Sequence, residues 1–189
     1  SYLYDDQYEP TVFAFTQKEK FAADAPPQPV ALATTPDIRW ARRDIKTTNL
    51  LGQVMAKQAA HLAGAYEALM IAPDGDVTEA GSSSFFFIKD RELWVRPVSN
   101  DILHGITRQT MLRVAEQHQL KIREETYTLD QVLAADEAFI TAASIYVLPV
   151  GRIDDTEIGD GGVGSVTASL RSAYLELARA EFPKVPEMA

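Results

Sequence analysis

From Asn49 to Ala63, apolar residues recur at the spacing of a helix face: Leu50, Leu51, Val54, Met55 and Leu62 mark it, and Gly64 supplies a C-terminal stop. Thr107 to His118 repeats the pattern with Met111, Leu112, Val114 and Ala115 turned inward. Ser165 to Glu181 predicts a last helix that stops near Pro183. Thr128-Leu129-Asp130-Gln131 has the form of a capping box opening a short helix to Ala135.

Between these stretches lie shorter β-type runs. Thr11 to Thr16 is apolar and aromatic-rich and predicts a strand. Glu67 to Ala72 predicts another, with Asp74-Gly75 as a tight turn and Asp76 to Thr78 as the return. Phe85 to Ile88 and Leu93 to Val95 form a predicted pair joined by Lys89-Asp90-Arg91. Further β-rich runs are Lys121 to Tyr127, Ala138 to Ala142 and Tyr146 to Val150, followed by a Gly-rich turn region over Ile158 to Gly164. The polar and Ala/Pro-rich stretch that ends at Pro29 suits a linker or surface loop. Strands outnumber helices and the two interleave irregularly, which predicts an α+β domain with no internal repeat.

Composition narrows the classes. The 189 residues can bury a full core, and 46% hydrophobic with 24% charged residues is ordinary for a globular domain. A net charge of -9 argues against nucleic acid and against an anionic membrane surface as partners. The absence of cysteine removes disulfides, thiol catalysis and Cys-ligated zinc. The three histidines, His61, His104 and His118, have no metal-ligand spacing, so no metal is expected. No apolar run approaches the roughly 20 residues of a membrane span, and no secretory leader is present, which makes cytoplasm the expected location. The chain begins Ser1-Tyr2-Leu3-Tyr4 without an initiator methionine and reads as a piece of a longer polypeptide.

Three segments carry candidate chemistry. Lys46 stands after the apolar Ile45 and before small polar residues. By itself it reads as a solvated lysine; in a partly desolvated cleft it would form a Schiff base or shuttle a proton. Glu79 closes a short strand before Ala80-Gly81-Ser82-Ser83-Ser84. It reads either as an exposed turn glutamate or as a carboxylate facing a protonated ring nitrogen, with the serines as lining hydroxyls. Gly105-Ile106-Thr107 opens a helix whose free N–H groups favour an anion, although Thr107 also fits a plain N-cap. Arg108 reads as a surface residue, and His104 as structural or exposed. An amine, a carboxylate and a phosphate cradle, in that order, are the parts needed to hold pyridoxal 5'-phosphate (PLP).

In combination, Asp44-Ile45-Lys46-Thr47-Thr48-Asn49-Leu50-Leu51, Val77-Thr78-Glu79 and Gly105-Ile106-Thr107-Arg108 resemble the class IV, or fold type IV, PLP-dependent aminotransferases, and among them the D-amino acid (D-alanine) transaminases. Supporting segments are Asp37-Ile38-Arg39-Trp40, Ala56-Lys57-Gln58 and Gly64-Ala65-Tyr66-Glu67-Ala68. The resemblance implies a large-domain fold with a mixed, barrel-like sheet and surrounding helices. It implies a Schiff-base lysine at Lys46, a pyridine-nitrogen partner at Glu79, serine contacts from Ser82 and Ser83, and phosphate contacts from Ile106 and Thr107. The family's late phosphate-binding threonine falls at Ala143, with Ser144 as its substitute, and the family's asparagine after the serines is replaced here by Ser84.

The division it implies is a remnant of the N-terminal small domain over 1–16, a linker over 17–30, and the large PLP-binding domain over 31–189. The rest of that small domain, with basic residues for the substrate carboxylate, would belong to the same polypeptide. The expected partners are an amino donor, a 2-oxo acid and a second copy in a homodimer. Branched-chain or (R)-amine transaminase and aminodeoxychorismate lyase are rival activities. A non-catalytic binding or assembly domain on the same scaffold is a rival of another class.

Overall fold

The computed structural model describes Leu3, Gln7 and residues 9–17 and 26–181. In chain order the elements are β1 (Val30–Pro36), α1 (Leu51–Leu62), β2 (Glu67–Ile71), β3 (Val77–Ala80), β4 (Ser84–Lys89), β5 (Glu92–Val95), α2 (Ile106–Gln117), β6 (Lys121–Glu124), α3 (Leu129–Leu133), β7 (Glu137–Ala142), β8 (Tyr146–Ile153), β9 (Thr156–Glu157) and α4 (Ser165–Glu181). The strands form one sheet in the order β3-β2-β1-β8-β7-β4-β5-β6, with β9 attached to β8. Pairing is mixed: β1 runs parallel to both β2 and β8, β5 to β6, and the other pairs are antiparallel. The sheet curls until its edges are linked. Val77 N–H at one edge donates to Tyr127 O just past the other edge at 2.9 Å, and Asp76 bridges Thr128.

Alternation along the strands sends side chains to two cores. Phe85, Phe87, Leu32, Ile140 and Tyr127 pack inside the curl against α3, where Phe87 meets Tyr127 edge-on at 4.9 Å. Phe86, Ile88, Phe139 and Val147 face the other way, onto α2 and α4, with Phe86 stacked on Phe139 at 5.0 Å. A smaller cluster of Ala56, Ala60, Ala68 and Met70 seats α1 on β2.

The predicted helices and most strands are present, and Ser165–Glu181 matches to the residue. The β4–β5 turn takes positive φ at both Asp90 and Arg91. Gly64 ends α1 at φ 74, and Gly75 turns β2 into β3 at φ 94. Two expectations fail. Thr11 to Thr16 has no regular secondary structure: no described strand pairs with it, and Val12, Phe13 and Phe15 are left exposed. Lys121 to Tyr127 is a strand only to Glu124, because Tyr127 turns into the core and is 1% exposed. Strand β1 was not anticipated. It begins at Val30, the last residue of the expected linker; residues 26–29 before it are irregular, and residues 18–25 and Pro183 lie outside the described residues. No helix among the described residues is long and apolar enough to cross a membrane.

Candidate functional site

Glu79 lies on β3 with its carboxylate nearly sealed from solvent. The chain after Pro36 brings Arg39 to it: Arg39 Nη1 donates to Glu79 Oε1 at 2.5 Å. The Leu103 N–H donates to both carboxylate oxygens, at 3.2 and 3.3 Å. Burial, the largest influence, pushes the Glu79 pKa up and outweighs the pull of Arg39 and of the Leu103 N–H.

Behind Arg39 stands Asp37, whose side chain has no solvent exposure. Its two oxygens take Arg39 Nε at 2.9 Å and Nη2 at 2.7 Å, a forked grip that fixes the guanidinium plane. Thr78 Oγ1 donates to Asp37 Oδ2 at 2.7 Å, and Arg43 Nε stands 3.2 Å from the same oxygen. Burial alone would raise the Asp37 pKa, but Arg39, Thr78 and Arg43 together bring it below the usual carboxylate value.

Arg43 carries the network to the loop before α2. Its Nη1 donates to Asp101 Oδ1 at 2.9 Å, and its N–H donates to Asn100 O at 2.9 Å. Lys46 follows three residues later, in irregular chain; it is exposed and makes no hydrogen bond or ion pair with the described residues. Between them, Asp44 is held low by its hydrogen bond from Arg42 and by the charge of that guanidinium, while Arg43 bonds Asp101 and Asn100 ahead of α2. The Lys46 segment is thereby tied to the residues that lead into α2.

The first turn of α2 has no side-chain cap and no acidic residue. Gly105 is the N-cap, so Ile106 and Thr107 occupy the first two helical positions, and Thr107 does not cap the helix. Gln109 N–H makes the first intrahelical bond, to Gly105 O at 3.1 Å, which leaves the amides of Ile106, Thr107 and Arg108 pointing off the helix end. Ser84 borders this end, since a Cβ on Gly105 would lie 3.3 Å from its Oγ. Across the β4–β7 ladder Ser84 pairs with Thr141, one turn before Ser144 in the exposed β7–β8 connection.

The serines before β4 divide. Ser82 is exposed, and its hydroxyl donates to Glu67 Oε2, where Lys57 also binds. Ser83 is 7% exposed, and its hydroxyl has no hydrogen-bond partner. Thr141 Oγ1 is likewise buried and unpartnered. Buried hydroxyls are normally satisfied, so each of these two has capacity for a further partner.

Arg108 is a correction. It is 3% exposed and inward-facing, donating from Nη2 to Arg96 O and to Glu124 Oε2 at 2.8 Å each. His104 is exposed, with Nε2 3.0 Å from Ser99 O. Sequence reasoning noted Asp37 and Arg39 only as supporting likeness and gave neither a role. Their signal was available: an acid and a base two apart, just past a strand, fall on one side of an extended chain. No group of three or more His, Asp or Glu side chains among the described residues is placed to hold a metal ion.

The profile of the family described as Amino-transferase class IV matches residues 1–153. A D-alanine aminotransferase of Staphylococcus epidermidis is 40% identical over 166 residues, covering 88% of this chain and 58% of its own length. One from Listeria monocytogenes is 41% identical over 143 residues, covering 76% of this chain and 49% of its own. This chain therefore spans roughly half the length of the curated relatives it matches. Among solved structures, the T.th. branched-chain amino acid aminotransferase complexed with N-(5'-phosphopyridoxyl)-L-glutamate superposes with a TM-score of 0.75 at 32% identity, covering 82% of this chain and 54% of that one.

Proposed function

The chain belongs to the class IV aminotransferases, and from that premise we propose that it is the cofactor-holding part of a PLP-dependent enzyme that moves the amino group of a D-amino acid to a 2-oxo acid. In this reading residues 31–189 are the large domain, 17–30 a linker and 1–16 the remnant of a small domain. The D-alanine aminotransferases at about two-fifths identity support the D-amino acid. The observation that carries the reading is a buried carboxylate, Glu79, joined through Leu103 to an uncapped helix end at Ile106 and Thr107.

The residues fit the cofactor. Its ring nitrogen is a donor when protonated, and Glu79 is an acceptor held by donors alone. Its phosphate is an anion, and the amides of Ile106 and Thr107 with the Thr107 hydroxyl offer donors at a positive helix end, with Ser144 proposed as a further contact. Ser83 brings a hydroxyl that has no other partner. Ser82, whose hydroxyl is engaged by Glu67, anchors the turn and is not needed as a direct contact.

When bound, PLP supplies the electron sink that receives the pair left as the substrate Cα–H bond breaks. Lys46 would hold the cofactor by its amine and, when free, would serve as the base that moves the proton at the substrate Cα. Glu79 would face the protonated ring nitrogen, and the α2 end would hold the phosphate. A cytoplasmic homodimer is part of the same proposal: Ile38, Trp40, Leu51, Val54 and Met55 form an exposed apolar surface beside and along α1.

The 32% identity to a branched-chain enzyme favours a second reading, transamination of a branched-chain amino acid. One experiment addresses both. The intact protein, loaded with PLP and reduced with borohydride, is expected to carry the cofactor on Lys46 and to accept D-alanine but not L-leucine or 1-phenylethylamine. Cofactor on another lysine overturns the site. Preference for L-leucine selects the second reading.

A further inference from the structure

The two oxygens of Glu79 are unequally occupied. Oε1 accepts Arg39 Nη1 and the Leu103 N–H, whereas Oε2 accepts only the longer, 3.3 Å arm of that same amide. A carboxylate oxygen has room for two donors, so Oε2 is the one with capacity left. Arg39 cannot follow Glu79 if that side chain moves. Asp37 holds its Nε and Nη2 in a fork, and Thr78 and Arg43 hold Asp37.

We propose that Arg39, clamped by Asp37, is a positioning residue that keeps Glu79 anionic and leaves its Oε2 open to the ring nitrogen of the bound cofactor. This rests on the reading of Glu79 above and goes beyond it by naming what maintains that carboxylate. Burial opposes the charge, and Asp37 adds a like charge nearby; Tyr127, buried past β6, also senses Glu79 but stays neutral. Arg39 is the one cation in ion-pair contact with Glu79 among the described residues. Without it the desolvated acid takes up a proton and offers the ring nitrogen no negative partner.

The test uses the intact protein as wild type, Arg39→Gln, Arg39→Lys, Glu79→Gln and the Arg39→Gln/Glu79→Gln pair. PLP affinity is read by spectroscopic titration, and the pH dependence of the bound cofactor's visible band is read alongside it. Arg39→Gln is expected to weaken PLP about tenfold and to displace the band's pH transition. In the Glu79→Gln background the same change is expected to alter affinity by less than about twofold and to leave the transition where Glu79→Gln put it. Arg39→Lys keeps the charge without the fork and falls between. Equal effects with and without Glu79, or no effect on either readout, overturn the proposal. Should Arg39→Gln fail to fold, Arg39→Lys compared across the two backgrounds decides the matter by the same criterion. Wild-type protein that takes no cofactor on Lys46 after borohydride sinks the reading of the site instead, whatever the Arg39 variants do.

Discussion

Ser82 donates its hydroxyl to Glu67 Oε2 across 2.6 Å, and Lys57 Nζ reaches both residues at 3.2 Å. The neighbouring Ser83 hydroxyl is buried and bonded to nothing. Ser82→Ala should therefore cost about 1 kcal/mol of stability and leave PLP affinity nearly unchanged. Ser83→Ala should leave stability unchanged or slightly improved, and weaken PLP binding. Urea denaturation and a PLP titration on both variants check this, and the reverse pattern would exchange the roles of the two serines.

Lys46 is exposed and has no partner among the described residues, so its removal takes no contact with them away. Lys46→Ala is expected to keep stability within about 0.5 kcal/mol and to abolish borohydride-fixed cofactor. Denaturation and peptide mass analysis measure the two effects separately.

Asp37 predicts a pH dependence. Its folded pKa lies below its ordinary 3.8, so its contribution is present above that value and lost as pH falls through the folded value. Asp37→Asn leaves two buried guanidinium groups short of an anion and should cost about 3 kcal/mol at pH 7. Its deficit against wild type should shrink below pH 3.8. Glu79 has the opposite sign: its pKa is raised, so Glu79→Gln should gain on wild type as pH rises from 4.5 through the folded value. Denaturation curves collected from pH 3 upward would show both trends, and parallel curves would contradict them.

Glu137 of β7 caps a helix from a distance. Its carboxylate accepts Val166 N–H at 3.0 Å and Thr167 N–H at 2.7 Å, both in the first turn of α4. Glu137→Ala should cost about 1–2 kcal/mol, the usual effect of a lost N-terminal cap. Gly164 sits so close that a Cβ would lie 1.9 Å from Glu137 Cδ. Gly164→Ala should therefore cost about 2 kcal/mol by displacing that carboxylate. Thermal melts of the two variants and of their combination test the shared cause, since the double variant should lose less than the sum.

Much of the fold was legible because periodicity and turn chemistry are local. Asp74-Gly75, Gly64 and the pattern over Ser165–Glu181 each announce their element within a few residues. Strand β1 was not legible: Val30–Pro36 has weak alternation, and only its parallel neighbours β2 and β8 make it a strand. Thr11–Thr16 has the right composition but no described strand beside it, and composition alone does not make a ladder. In the candidate site, motif order singles out Lys46, Glu79 and the α2 end, and the fold joins Glu79 to that end through the Leu103 N–H. The Asp37–Arg39 pair had a local signal that was given no role, whereas the Arg39–Glu79 contact spans forty residues and leaves no trace in local pattern. Arg108 was misread for a similar reason: its acceptors are the Arg96 carbonyl and Glu124, which only the fold brings to it.

Strand β1 lies between β2, which follows it closely in the chain, and β8, which comes more than a hundred residues later. On a ribosome it would emerge more than a hundred residues ahead of β8 and wait with one flank bare until the eighth strand arrived, so the sheet cannot be completed before β8 is made. Refolding of this chain should accordingly be slow, on the order of milliseconds to seconds, and a delay engineered between α2 and β7 should lengthen the window in which that bare flank recruits a neighbouring polypeptide.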